Sequence, residues 1–181
     1  MQYLDAEFFA RDTLTVARDL VGTTLVVGRC RGRIVETEAY TTDAASHAVT
    51  RRHQASWMGD TFGHIYIFFI YGMYYCLNFT TDRDGVGAVL IRAAEPLAGQ
   101  QVMAQRRGTT DPRKLCTGPG RLCQAFGIDL AFNGRKLGGK LKLAAREGDE
   151  PVVATSRRIG ISQAQELEWR FFEQGSKFVS G

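Results

Sequence analysis

Residues 64–79, HIYIFFIYGMYYCLNF, are the densest run of aromatic and β-branched side chains in the chain, and they narrow its folding options more than any other feature. Gly72 and four tyrosines interrupt the apolar stretch 65–79, which falls short of the ~20 apolar residues a membrane-spanning helix needs. Tyr71-Gly72 at the midpoint is the natural place for a reversal, so the run is predicted to be a protruding β-hairpin. Its tyrosines and phenylalanines fall on both faces. One face can fill a core while the other is free to stack something flat. Tyr71, at the tip, is hard to bury within the same domain and is suited to insertion into a base stack.

The elements around the hairpin follow from spacing. Leu14, Ala17, Leu20 and Val21 share one face of a helix over 14–21, with Asp12 or Thr13 to cap it and Gly22 to end it. Strands over 24–27 and 33–40 flank a turn-like GRCRG segment. A strand over 87–93 follows a polar turn and is expected to stop at Glu95-Pro96. Helices are expected over 97–107 and 121–127, the second after the Gly118-Pro119-Gly120 turn, and short strands over 141–144 and 152–154. No repeat or linker divides the chain, so residues 1–181 form a single domain. Strands and helices in mixed order predict an α+β fold around a central antiparallel or mixed sheet. Neither G-x-G-x-x-G nor a P-loop pattern is present.

Composition restricts the partners. Of 181 residues 44% are hydrophobic, enough for a sizeable core, and the net charge of +4 is mildly basic. Eighteen of the 23 basic residues are arginine, the better bidentate phosphate ligand, although a GC-rich genome would give the same bias. Cys30, Cys76, Cys116 and Cys123 occupy separate contexts and only three histidines are present, so free thiols, no metal site and no cofactor are expected. The N-terminal segment carries acidic residues where a secretory signal needs a basic region, and an intracellular location is expected.

Two acidic residues stand out in VETEAY, residues 35–40. Strand alternation places Glu36 and Glu38 on one face, roughly 7 Å apart. A carboxylate in an apolar strand is solvated, paired or used. A polar outer face of a half-exposed strand accounts for isolated glutamates; a glycosidase acid–base pair accounts for two.

With ASHA (45–48), YGMYYCLN (71–78), AVLIRAAEP (88–96), GPGRL (118–122), Asn133-Gly134, WRF (169–171) and Gly175-Ser176, this segment resembles the alkyladenine (3-methyladenine) DNA glycosylase family over most of the chain. The resemblance implies a monomer with a fold like the C-terminal domain of formyltransferases. It would bind double-stranded DNA containing damaged purines, flip the damaged base and hydrolyse its N-glycosidic bond. By matched position, Glu38 is the general base toward the attacking water and Arg92 its companion, whereas Glu36 is the paired or solvated position. Tyr40, His47 and Phe68 are walls of the base pocket, Tyr66 supports it, and Asn78 disfavours the exocyclic amine of guanine. Tyr71 fills the gap left by the flipped nucleotide, with Met73 and Tyr74 pressing on flanking bases. Arg51 or Arg52, Gly120 and Arg121 contact the DNA backbone.

Certain features depart from the family pattern. The loops between Tyr40 and His47 and between His47 and Tyr66 are a couple of residues short, and the second lacks the usual T-x-R-N and Pro-Gly elements. Phe68 stands where many members have tyrosine, removing a hydroxyl. None of the five lysines matches a pocket position, which predicts a monofunctional hydrolase that leaves an abasic site. Two rival readings are a non-catalytic damaged-base-binding protein, against which Glu38 and Arg92 argue, and a carbohydrate glycosidase, for which Tyr71 has no purpose.

Overall fold

The computed structural model describes residues 1–51 and 56–181. Its framework is an antiparallel sheet built from β1 (Thr24–Val27), β2 (Cys30–Tyr40), β3 (Ile65–Ile70), β4 (Tyr74–Thr81), β5 (Gly87–Ala98), β6 (Leu141–Ala144), β7 (Val153–Ser156) and β8 (Arg170–Glu173). The main path runs β3-β4-β5-β2-β1-β6, and β8 joins β2 to β7. Helices α1 (Ala6–Phe9), α2 (Thr13–Leu20), α3 (His47–Thr50), α4 (Gln100–Arg107) and α5 (Pro119–Phe126) complete an α+β arrangement. Within the described residues no helix is long and apolar enough to cross a membrane.

Strand β2 organises the functional end. Its first part, Arg31 to Arg33, pairs with β1, while Glu36, Thr37 and Glu38 have β5 on one side and β8 on the other. The β2–β5 register slips between Ile34 and Glu36 and again between Glu36 and Thr37, an irregularity of the kind that re-aims side chains. Burial follows this double flanking. From Ile34 to Ala39 the strand has no exposed residue, so the half-exposed outer face is excluded for Glu36 and Glu38. On the core side, Phe9, Leu20, Ile34, Leu77, Phe79 and Phe126 are fully buried. Helix α2 seats Val16, Ala17 and Leu20 there, and Asp12 accepts the Thr15 N–H as its N-cap, as the spacing predicts.

Two boundary expectations are corrected. Strand β5 does not stop at Glu95-Pro96 but runs to Ala98, with Pro96 opposite Gly32 where the β2 register slips, so the missing N–H disrupts little. In consequence α4 starts at Gln100, after Gly99 in the left-handed conformation, and Leu97 is an exposed strand residue. Strand β8, α1 and α3 were not predicted; each is only four residues long. The four cysteines are free and buried, consistent with their separate contexts.

Candidate active site

The hairpin of β3 and β4 bends over a cleft of about 1110 Å³ whose other sides are α3, the start of α5 and residues 159–163. Tyr40, His47, Tyr66, Phe68 and Asn78 all line it. Ser46 caps α3 and thereby orients His47, whose Nδ1 lies 2.9 Å from the Tyr66 hydroxyl. The imidazole packs on Phe68 with ring centroids 4.1 Å apart. Burial, reinforced by the Arg51 charge, lowers the His47 pKa to about 4, so the ring is uncharged at neutral pH. Burial also pushes the Tyr66 phenol up to about 12. Asn78 is buried, and its amide donates to the carbonyls of Tyr66 (3.1 Å) and Cys76 (3.2 Å), which fixes the side chain in the wall.

Behind this wall lies a charged cluster at the β5-β2-β8 junction. Glu38 accepts the Tyr40 hydroxyl on Oε2 and the Ile159 N–H on Oε1, each at 2.7 Å, and Arg92 Nη1 stands 3.4 Å from Oε1. Glu38 is 0% exposed and is absent from the cleft lining, whereas Tyr40, Arg92 and Ile159 all face the cleft. Burial raises the Glu38 pKa, and the Arg92 charge, the Ile159 N–H and the Tyr40 hydroxyl only partly oppose it. Glu36, also 0% exposed, pairs with Arg92 Nε at 3.2 Å and with Arg170 Nε at 2.6 Å. It also accepts the backbone N–H and hydroxyl of Ser180, so it is not a second acid available to a glycan.

The end of the same hairpin carries the residues expected to enter DNA. Met73 N–H closes a turn onto the Ile70 carbonyl, with Tyr71 at φ 56° and Gly72 at φ 66°. Glycine adopts that region freely, but an aromatic residue there is strained. Tyr71 is 77% exposed and Met73 64% exposed. Tyr74 instead leans against α5. A Cβ on Gly120 would lie 2.9 Å from the Tyr74 ring, so glycine is needed for the hairpin to rest on the helix. Pro119 begins α5 after Gly118, and Gly120 and Arg121 face the cleft at its N-terminus.

Of the residues expected at phosphates, Arg51 lies at the cleft with its guanidinium 4.8 Å above the Phe68 ring, and Arg52 lies outside the described residues. Sequence reasoning missed the contribution of residues 158–180. Arg158 is buried and donates to the Ala39 carbonyl (2.9 Å) and to Asp43 (2.7 Å), with its guanidinium over the rings of Tyr40 and Trp169. Burial alone would raise the Asp43 pKa, but the Arg158 contact and two backbone N–H groups hold it low. The only sequence signals were the Arg157-Arg158 pair and the WRF motif, neither of which indicates a partner.

The family model described as methylpurine-DNA glycosylase (MPG) matches residues 7–177. A protein of Rhizobium johnstonii is 47% identical over 96% of this chain and 87% of its own length. One from Nitrosospira multiformis is 46% identical over 95% and 91%, and one from Methanoculleus marisnigri 43% identical over 98% and 98%. All three carry the name "putative 3-methyladenine DNA glycosylase".

Proposed function

The chain belongs to the methylpurine-DNA glycosylase family, and from that premise we propose that it flips an alkylated or deaminated purine out of duplex DNA and hydrolyses its N-glycosidic bond. The substrates are of the 3-methyladenine, 7-methylguanine, hypoxanthine and ethenoadenine class, and the product is an abasic site for base excision repair. The carrying observation is that Arg92 and Tyr40, which hold the buried Glu38, border one cleft with an aromatic pocket and an exposed aromatic hairpin tip.

In this mechanism positive charge grows on the sugar as the glycosidic bond breaks. Glu38 stabilises that charge and takes a proton from the water that attacks C1′. Because Glu38 has no surface on the cleft, the water must lie among Arg92, Tyr40 and Ile159, which line the cleft and contact the carboxylate. The raised pKa makes Glu38 a stronger base once ionised. Tyr40, His47 and Phe68 hold the flipped base. An uncharged His47 does not repel a cationic methylated purine, and the ring faces attract it. Asn78 disfavours guanine, Tyr71 occupies the vacated stack, Met73 and Tyr74 press on its neighbours, and Arg51, Arg52, Gly120 and Arg121 take phosphates. No lysine is among the cleft-lining residues described, which supports monofunctional hydrolysis without strand cleavage. A single glycosylase domain over 1–181, likeness to the formyltransferase C-terminal domain, a monomeric state and an intracellular, DNA-associated location belong to the same reading.

One observation favours a second reading, a damaged-base-binding protein that does not cut: the carboxylate is shut off from the cleft. Release of free base from duplex oligonucleotides, each bearing one lesion, separates the two. Free base from at least one lesion is the expected result. Tight lesion binding with no release on any of them would establish the binding reading.

A further inference from the structure

Glu36 is saturated. Four donors converge on its carboxylate: Oε1 takes Arg92 Nε (3.2 Å), Arg170 Nε (2.6 Å) and the Ser180 hydroxyl (3.0 Å), and Oε2 takes the Ser180 N–H (2.6 Å). Unlike Glu38, whose partners Tyr40, Arg92 and Ile159 all line the cleft, Glu36 reaches it through Arg92 alone, since Arg170 and Ser180 are not among the lining residues. The Arg92 guanidinium is correspondingly held at every nitrogen: Nε by Glu36, Nη2 by the Ser180 hydroxyl at 3.3 Å, and Nη1 toward Glu38 at 3.4 Å. Arg170 closes the arrangement by donating from Nη2 to the Ser180 carbonyl at 2.7 Å and from Nη1 to the Ser156 hydroxyl at 2.9 Å. The Arg92 carbonyl also accepts the Gly118 N–H at 3.1 Å, which ties this strand position to the turn that opens α5.

We infer that Glu36 and Ser180 are positioning residues for Arg92: they lock the guanidinium fork so that one nitrogen is presented to Glu38 at the cleft wall. This rests on the glycosylase reading above. An ion pair kept only for stability would be complete with Glu36 and Arg170. Of the three further contacts, one goes to Arg92, which also faces the cleft and the second carboxylate, and two go to Ser180, whose hydroxyl in turn accepts Arg92 Nη2. Sequence spacing gives no hint of this, because the partners lie 56, 134 and 144 residues from Glu36.

The test is a mutant cycle on the full chain, using single-turnover base release from a lesion duplex together with the lesion-duplex Kd. Glu36→Gln places an amide among four donors and is expected to slow release about 10²-fold through misplacement of the fork, with Kd changed less than about 3-fold. Ser180→Ala, which leaves the backbone N–H in place, is expected to slow release roughly 5- to 10-fold and covers the case in which Glu36→Gln fails to fold. In an Arg92→Lys background, which has no fork to lock, each change is expected to add less than about 2-fold. Equal losses in both backgrounds, or losses in proportion to lowered Tm, would overturn the inference while leaving the glycosylase reading intact. A parent protein inactive on every lesion would overturn both.

Discussion

The hairpin tip and the β5-β2-β8 junction treat their side chains in opposite ways. At the tip, Tyr71 is exposed and strained at positive φ, and Met73 beside it is exposed. At the junction, Glu36 and Glu38 have no exposed surface, and their oxygens meet arginines, backbone N–H groups and hydroxyls. Exposed apolar groups held in a strained turn add little to folding and are available to a partner. Buried charges persist only when their partners are fixed. In the proposed function, capture of the lesion falls to the tip and positioning of the reacting groups to the junction. Tyr74 joins the two, since its ring rests on Gly120 while the turn before α5 is tied to Arg92.

The strongest way to break this contrast is at Arg158. Arg158→Ala leaves Asp43 buried without its guanidinium and is expected to lower stability by about 3–5 kcal/mol, read by chemical denaturation. A loss below about 1 kcal/mol would mean that the buried side yields as easily as the tip. Tyr71→Gly should act in the opposite direction. Relief of the left-handed strain is expected to raise stability by roughly 1 kcal/mol while capture of lesion duplex weakens. If stability falls instead, Tyr71 belongs to the folding framework. A third effect is confined to acid pH and concerns His47. Its folded pKa of about 4 lies below the ordinary value of 6.5, so between these values the unfolded chain binds more protons and stability rises with pH. His47→Gln should flatten that part of the Tm–pH curve; an unchanged slope would assign it to other groups.

Much of the frame was legible because period-2 patterning and turn residues are local. The hairpin and the strands Thr24–Val27 and Leu141–Ala144 lie where alternation and flanking glycines put them. Pro96 misled because proline usually ends a strand, and only the bulged β2 opposite makes room for it. Burial of Glu36 and Glu38 was not legible either: β8 covers them from more than 130 residues away, and its four residues, RFFE, are too short a run for alternation to mark as their neighbour. The motif match gathered Tyr40, His47, Tyr66, Phe68 and Asn78 in advance, and all five border the cleft. Arg158, Ile159, Arg170 and Ser180 act through long-range contacts that no spacing rule contains.

The central claim is that Glu38, though shielded, performs the chemistry at this cleft. Its most direct test is single-turnover base release by the parent and by Glu38→Gln across pH, with lesion-duplex binding measured in parallel. The account predicts that the variant binds as the parent does and releases base about 10²- to 10⁴-fold more slowly. It also predicts that the parent's rate climbs with pH above the usual carboxylate range, because burial raises the Glu38 pKa. Release by Glu38→Gln at the parent's rate would contradict the account.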